Sequence, residues 1–377
     1  MKDELFLYFA SYSYSPDNKW FSAGANKKIE QTLSIFKANN KKTILINFTP
    51  EENNNKYFDE IKICNHWNPF IYRLEILIST LKIRKFIDFK KYKINLLIYN
   101  ATFESLLFYF SLRLFGINPT LSIEVEDLPF ARSRNLALFR SFFDYFALNF
   151  LYRRSKICFF TSEIMRENIK NFMKYKKELF IYPPSISEKF LDLSKVREEP
   201  FNSDKIRIIY AGGFHKEKGV FELINAFIKA NLSNAVLYLY GPSSKDIRNL
   251  FKEHSSIKFK GVVSYEKLLE AYILADIIVN PHLEIINNEY IFPCKNIEIL
   301  ASGALPLISI YSLAGLTFSD LPTNLIFKDQ KQLTDLIING KNLWFKEKHK
   351  INKLSKYIRE KYSHDSIAKT FANAFKF

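Results

Sequence analysis

From Lys205 onward the sequence alternates short apolar runs with amphipathic segments, and few architectures accept that order. The runs at 206–211, 235–240, 257–260, 276–279 and 305–310 read as strands, and the segments at 220–230, 244–254, 264–274 and 295–302 read as helices between them. Apolar strands joined through helices form repeated βαβ units, and such units build a parallel sheet covered on both faces. Within 220–230, Phe221, Leu223, Ile224, Phe227 and Ile228 share one helical stripe. Ser264 reads as an N-cap and Gly303 as a helix stop.

The preceding half repeats the pattern less cleanly, with strands expected at 5–10, 43–47, 96–99, 121–125 and 157–161. At 377 residues the chain exceeds what a single core usually serves. The expected class is α/β, with two doubly wound Rossmann-like domains facing a cleft. The expected boundaries are 1–190 for the first domain, 191–204 for a polar linker containing Pro200, and 205–350 for the second. A helical segment at 351–377 lies beyond the last strand and is expected to pack back onto the first domain. Ligands of doubly wound sheets bind outside the C-terminal strand ends, so chemistry is sought in those loops.

Charge narrows the partners. The net charge is +16, and residues 1–190 hold 29 Lys and Arg against 19 Asp and Glu. This fits a polyanionic partner, whether nucleic acid, anionic lipid or a phosphate-bearing substrate. Cys64, Cys158 and Cys294 are too scattered for a zinc site or disulfide framework, which fits a reducing compartment. The apolar stretch 297–316 is broken by Glu298, Gly303, Pro306 and Gly315, so no bilayer span is expected. The start, Met-Lys-Asp-Glu before a short apolar run, reads as a first buried strand and not as a signal peptide.

Two segments carry chemistry. In Tyr210-Ala-Gly-Gly-Phe-His-Lys-Glu-Lys-Gly219 a strand ends in paired glycines before a helix, so a phosphate can approach the backbone of Gly212 and Gly213 while Lys218 adds positive charge. The same residues also read as a tight turn with a solvated lysine. In Tyr290-Ile-Phe-Pro-Cys-Lys-Asn-Ile-Glu298, a proline loop presents Lys295 and the opening turn of a helix. Glu298, one turn on, can accept hydrogen bonds from vicinal hydroxyls or pair with Lys295.

Together these segments resemble glycosyltransferase family 4, the retaining GT-B enzymes, and in particular members with a Phe-Pro-Ser-Lys-x-x-Glu signature. The matching residues are Tyr-Ala-Gly-Gly-Phe214, Glu217-Lys-Gly219, Tyr240-Gly-Pro242, Gly261-Val-Val-Ser264, Ala275-Asp276, Phe292-Pro-Cys-Lys-Asn-Ile-Glu298 and Ala301-Ser-Gly303, in the family's order. The resemblance implies a nucleotide-sugar donor of UDP or GDP type, with hexosyl transfer to a saccharide or lipid-linked acceptor in bacterial lipopolysaccharide, capsule or glycolipid synthesis. It implies that Lys218 neutralises the donor's β-phosphate, Glu298 holds the ribose, and the backbone of Pro293, Cys294 and Lys295 binds the diphosphate. Gly24, in Phe21-Ser-Ala-Gly-Ala-Asn-Lys-Lys28, resembles the glycine loop that faces the donor. It further implies retention of configuration by same-face displacement without an essential metal or cofactor, and the chain shows no Asp-x-Asp motif.

The chain departs from the family at three places. Gly213 stands where many members have Arg, with His215 or Lys216 as the nearest replacement; Tyr290 stands where a Glu is widespread, one position after Glu289; Cys294 replaces Ser. The first departure keeps a catalytically inactive GT-B scaffold in view, and the charge keeps a nucleic-acid-binding protein in view. No recognisable nucleic-acid-binding motif supports the latter, and no nucleic-acid partner is expected.

In the first domain, Glu124, Glu126 and Asp127 follow a strand, and Glu126 or Asp127 is a candidate to position the acceptor hydroxyl. Residues 68–93 and 132–154 interleave aromatic and basic residues. Each reads either as a core-facing helix with solvated charges or as an amphipathic surface for anionic lipid. The expected location is cytoplasmic, at the inner face of the membrane.

Overall fold

The computed structural model describes residues 2–15, 22–51, 58–126, 128, 137–172, 178–191, 199–243, 245–284, 294–313 and 321–377. Two compact units form, one from Met1–Ser185 with Ile367–Phe377, the other from Ile186–Asn288 with Pro293–Ser366. Most of the expected linker, 192–198, lies outside the described residues.

The first unit is a seven-stranded parallel sheet: β1 (Asp3–Ala10), β2 (Thr43–Asn47), β3 (Glu60–Lys62), β4 (Tyr92–Tyr99), β5 (Thr120–Val125), β6 (Ile157–Phe160) and β7 (Glu178–Ile181). They are ordered β3-β2-β1-β4-β5-β6-β7. Leu5 to Ala10 are all buried, as a central strand covered on both faces requires. The covering helices are α1 (Ala23–Ala38), α2 (Pro69–Ile83), α3 (Phe103–Leu114), α4 (Ala137–Arg154) and α5 (Glu163–Phe172). Asn68 caps α2 by accepting from the amides of Phe70 and Ile71, and Pro69 fills the first helical position.

The second unit has six parallel strands, β8 (Ile206–Ala211), β9 (Ala235–Tyr240), β10 (Ile257–Gly261), β11 (Ile277–Asn280), β12 (Leu305–Ser309) and β13 (Ile326–Phe327), ordered β10-β9-β8-β11-β12-β13. Its helices are α6 (Val220–Ala230), α7 (Lys245–Leu250), α8 (Tyr265–Leu274), α9 (Cys294–Ser302), α10 (Gln330–Ile338) and α11 (Gly340–Lys361). The face of α6 that packs inward is centred on Val220, Leu223, Ile224 and Phe227, while Phe221 and Ile228 sit at its margins. Ser264 accepts from the Lys267 amide at 3.4 Å to cap α8, and Gly303 (φ +71°) ends α9 in the left-handed region. Asp276, fully buried, accepts 2.7 Å hydrogen bonds from the amides of Phe201 and Arg207, tying the entry segment to β8.

A last helix, α12 (His364–Phe375), carries the chain into the first unit's core. There Phe371 stacks on Phe159 with ring centroids 4.9 Å apart, and Phe375 and Phe377 meet Phe6 edge-on. Among the described residues no helix is long and apolar enough to cross a membrane.

Candidate active site

In the second unit the strand order reverses between β8 and β11. A doubly wound sheet leaves its ligand crevice outside the C-terminal ends of such a pair. Three loop ends meet there. The loop after β8 holds Gly212, Gly213 and Lys218, the loop after β11 holds Pro281 and His282, and α9 opens at Cys294.

Two glycines fix how closely these loops approach. Gly219 adopts φ +66°, and a Cβ there would lie 1.8 Å from the Pro281 carbonyl oxygen; the Leu283 amide donates to the Glu217 carbonyl at 3.1 Å. Gly241 adopts φ +137°, with its Cβ position 1.9 Å from the Gly212 carbonyl oxygen. Only glycine fits at either place, so the backbone around Gly212 and Lys218 is fixed by contact and not by the local turn alone.

The lysines converge on this backbone. Lys295 Nζ donates to the Ala211 carbonyl at 3.0 Å, which draws its ammonium from the first turn of α9 to the end of β8. His282 reports the field the two lysines set up. Burial first, then the positive charges of Lys218 and Lys295, push its imidazole down to about 3, so the ring is neutral at physiological pH. Two cations beside a half-buried neutral imidazole, with a helix opening at Cys294, form an arrangement suited to an anion. The Cβ position of Gly213 lies 3.1 Å from the His215 ring, so His215 stands beside the place where an Arg side chain would start.

One turn into α9, Glu298 accepts a short hydrogen bond from the Tyr265 hydroxyl. Burial, followed by the Glu298 carboxylate, raises the Tyr265 phenol far above its ordinary value, so the tyrosine is a fixed donor. Between Lys295 and Glu298, Asn296 is fully buried. It accepts from Asn280 Nδ2 at 2.6 Å and donates to the Ser312 carbonyl at 2.7 Å, joining α9 to β11 and to the turn after β12. Sequence reasoning overlooked Tyr265 and Asn296. Tyr265 follows the recognised N-cap Ser264, and Asn296 is the polar position inside an otherwise apolar helix face, the one signal that marked it.

The second unit therefore brings Gly212, Gly213, Lys218, Lys295 and Glu298 to one edge. Cys294 is the first residue of α9, while Pro293 lies outside the described residues.

In the first unit, Gly24 is exposed in the first turn of α1, one residue past Ala23, behind the N-cap Ser22. Asp127 lies outside the described residues. Glu126 is largely buried, with its carboxylate 4.0 Å from the ammonium of Lys28. Lys28 is itself only 1% exposed; it donates to the Tyr182 carbonyl at 2.5 Å and lies 3.2 Å from the centroid of that ring. Beneath it Glu124 accepts from Thr32 and Tyr8 at 3.4 Å, and burial pushes its carboxyl up to about 8, against the pull of Lys28 and with the push of Glu126. Lys28 went unnoticed in the sequence because a lysine beside Lys27 reads as surface charge.

Among the described residues no three His, Cys, Asp or Glu side chains are grouped to hold a metal ion.

The family described as glycosyl transferases group 1 matches residues 194–361, which hold the second unit's Gly212, Lys218, Lys295 and Glu298 but not the first unit's Gly24, Lys28, Glu124 or Glu126. The second unit is a group 1 glycosyltransferase domain. No curated protein matches the glycosyltransferase by sequence. Solved structures resemble it over the whole chain at low identity, as the two Rossmann-like sheets of the GT-B fold require. Sucrose-phosphate synthase from Thermosynechococcus elongatus has a TM-score of 0.72 at 16% identity, covering 99% of this chain and 98% of its own. The Escherichia coli trehalose-6-phosphate structure bound with UDP-2-fluoro glucose has a TM-score of 0.67 at 12% identity, with 99% of each chain covered. WaaG, a glycosyltransferase involved in lipopolysaccharide biosynthesis, has a TM-score of 0.66 at 12% identity, with 98% of each covered.

Proposed function

We propose that this glycosyltransferase moves a hexosyl unit, with retention, from a UDP or GDP sugar to a saccharide or lipid-linked acceptor in bacterial surface-polysaccharide or glycolipid synthesis. The observation that carries the donor half is the pair Lys218 and Lys295 beside neutral His282 at the strand-order reversal, one helical turn from Glu298. A nucleoside diphosphate has the matching parts in the matching order. Its phosphates take the two ammonium groups and the amides opening α9, and its ribose hydroxyls donate to Glu298, which Tyr265 orients. UDP-2-fluoro glucose in the E. coli relative and the lipopolysaccharide role of WaaG support the donor class and the pathway.

In the reaction the bond from the anomeric carbon to the β-phosphate oxygen breaks while the acceptor oxygen bonds the same face, and the acceptor proton passes to the departing phosphate. Charge grows on that phosphate in the transition state, where Lys218, assisted by His215 in place of the missing arginine, stabilises it. No metal or cofactor is required, because lysines and a helix N-terminus supply the positive charge. Glu126, held by Lys28, is the first unit's candidate for the acceptor hydroxyl. Nucleic acid has no part in the scheme.

The test is thermal stabilisation of the wild-type protein and Glu298→Ala across UDP, GDP, ADP, CMP, dTDP and their sugar conjugates. Stabilisation by one nucleotide family that the variant loses is the expected result. A flat response to the whole panel overturns the donor assignment.

A further inference from the structure

The first unit carries a surface that the transfer reaction does not use. Along α2, Phe70, Ile71, Leu74, Ile78 and Leu81 recur at helical spacing, and with Phe86 just beyond they are between 40% and 79% exposed. The opposite face of the same helix is satisfied internally. Tyr72, Ile76 and Ile83 are buried in the core, and Thr80 hydrogen-bonds Ser111 of α3 at 2.7 Å. The helix is thus apolar on both sides, which a solvated surface helix is not, and a contiguous exposed apolar stripe marks a docking surface.

The charge around the stripe selects the occupant. Residues 82–93 contain Lys82, Arg84, Lys85, Lys90, Lys91 and Lys93 against Asp88 alone. Lys91 pairs with Asp88 and Lys93 with Glu4, which leaves an excess at Lys82, Arg84, Lys85 and Lys90. Arg84 donates to the Phe115 carbonyl at 2.5 Å, bringing the end of α3, with exposed Arg113 and Leu114, beside the same basic end. The only acid on α2 is Glu75, which is taken up by the amides of Asn65 and His66 and by the His66 ring. A second copy seated on α2 would find no acidic stretch there to complement the cations. A bilayer with anionic headgroups offers both an apolar layer for the stripe and negative charge for its rim.

We infer that the outer face of α2, from Phe70 to Phe86, is a membrane-docking surface that lies in the headgroup region of an anionic bilayer. The apolar stripe enters the acyl boundary, and Lys82, Arg84, Lys85 and Lys90 hold headgroup phosphates.

Flotation with vesicles tests this without any nucleotide, so its result is independent of the donor assignment. The probes are phosphatidylcholine vesicles with and without about one-third phosphatidylglycerol, enough to set a negative surface potential. Wild-type protein is expected to float with the anionic vesicles and to detach as salt rises. Leu74→Asp with Ile78→Asp should weaken partitioning more than tenfold, since it places charge where the acyl boundary is entered. Lys82→Gln with Arg84→Gln and Lys85→Gln should weaken it on the order of a hundredfold, at roughly 1 kcal/mol for each basic side chain. Phe345→Asp, on α11, should leave it unchanged, and melting temperatures check that each variant is folded.

Wild-type protein that ignores anionic vesicles at low salt overturns the inference. So does a folded Leu74→Asp, Ile78→Asp variant that floats as well as the parent. A wild-type dimer that this variant converts to monomer, with vesicle binding unaltered, assigns the stripe to a second copy instead.

Discussion

Each unit gathers charge near the C-terminal ends of its strands, but the two do so in opposite ways. In the second unit Lys218 and Lys295 stand at loop and helix starts beside a neutral His282, whose imidazole their like charge helps to hold down. In the first unit Lys28 is sealed in the core against a tyrosine ring, a carbonyl and Glu126, and Glu124 beneath it is held protonated by burial. Half-buried like charges make an arrangement suited to an anion. Buried opposite charges make a fixed frame, whose removal is felt as stability before it is felt as chemistry.

The sharpest way to break this contrast is to remove one charge from each centre. Lys218→Ala should lower transferase kcat/KM by about a hundredfold or more, the usual loss when one stabilising group is withdrawn from developing charge, with little change in melting temperature. Activity within a few-fold of the parent would remove Lys218 from the reaction. Lys28→Ala should instead destabilise the protein by about 3 kcal/mol in denaturant unfolding while the nucleotide-induced thermal shift survives. An equally stable variant would show that the frame is not one.

The pH dependences of the two centres run in opposite directions. The Glu124 carboxyl titrates near 8 in the folded state and at 4.5 in its unperturbed state. Between those values the folded chain holds a proton that the unfolded chain has lost, so this group's contribution to stability falls as pH rises, by at most about 1.4 kcal/mol per pH unit. Glu124→Gln should flatten stability across that window, and an unchanged slope would contradict the buried assignment. His282 is depressed from 6.5 to about 3, so the unfolded chain binds the extra proton and stability falls as pH drops through that range. Ring NMR signals should show His282 titrating higher once UDP, but not uridine, is added, because the diphosphate cancels the two lysines. A titration indifferent to UDP would place the phosphates elsewhere.

The smallest effect is expected at Tyr265→Phe, which withdraws one hydrogen bond worth about 1 kcal/mol from Glu298. UDP should bind several-fold more weakly and pyrophosphate equally well, and a loss shared by both would detach Tyr265 from the ribose.

Much of this was legible in the sequence, for identifiable reasons. Short runs rich in β-branched and aromatic residues between helix-like segments read as strands, so β1, β2, β4 to β6 and β8 to β12 were readable. β3, β7 and β13, short strands with polar or partly buried residues, gave no comparable run. Lys218, Lys295 and Glu298 stood out because their spacing follows a strand-to-helix turn. Tyr265, Asn296 and Lys28 did not, because what matters about them is a partner far along the chain: Glu298, Ser312 and Tyr182. The stretch 68–93 left core and surface readings open. In the structure α2 has a buried face, with Tyr72 inside, and an exposed apolar face, with Phe70 outside. Of 132–154, residues 132–136 lie outside the described residues, and on α4 Phe142 and Phe146 are exposed while Phe143 and Phe150 pack partly inward.

The aromatic cluster of α12 sets an order of events during synthesis. Phe6 is made before the second unit, and the rings that finish its surroundings, Phe371, Phe375 and Phe377, emerge after that entire unit. On the ribosome the second unit can therefore close its core while the first still exposes Phe36 and Phe159, so the half translated first is the half completed last. A nascent chain halted after α11 should expose that unfinished apolar seam to chaperones, and release of α12 should hide it.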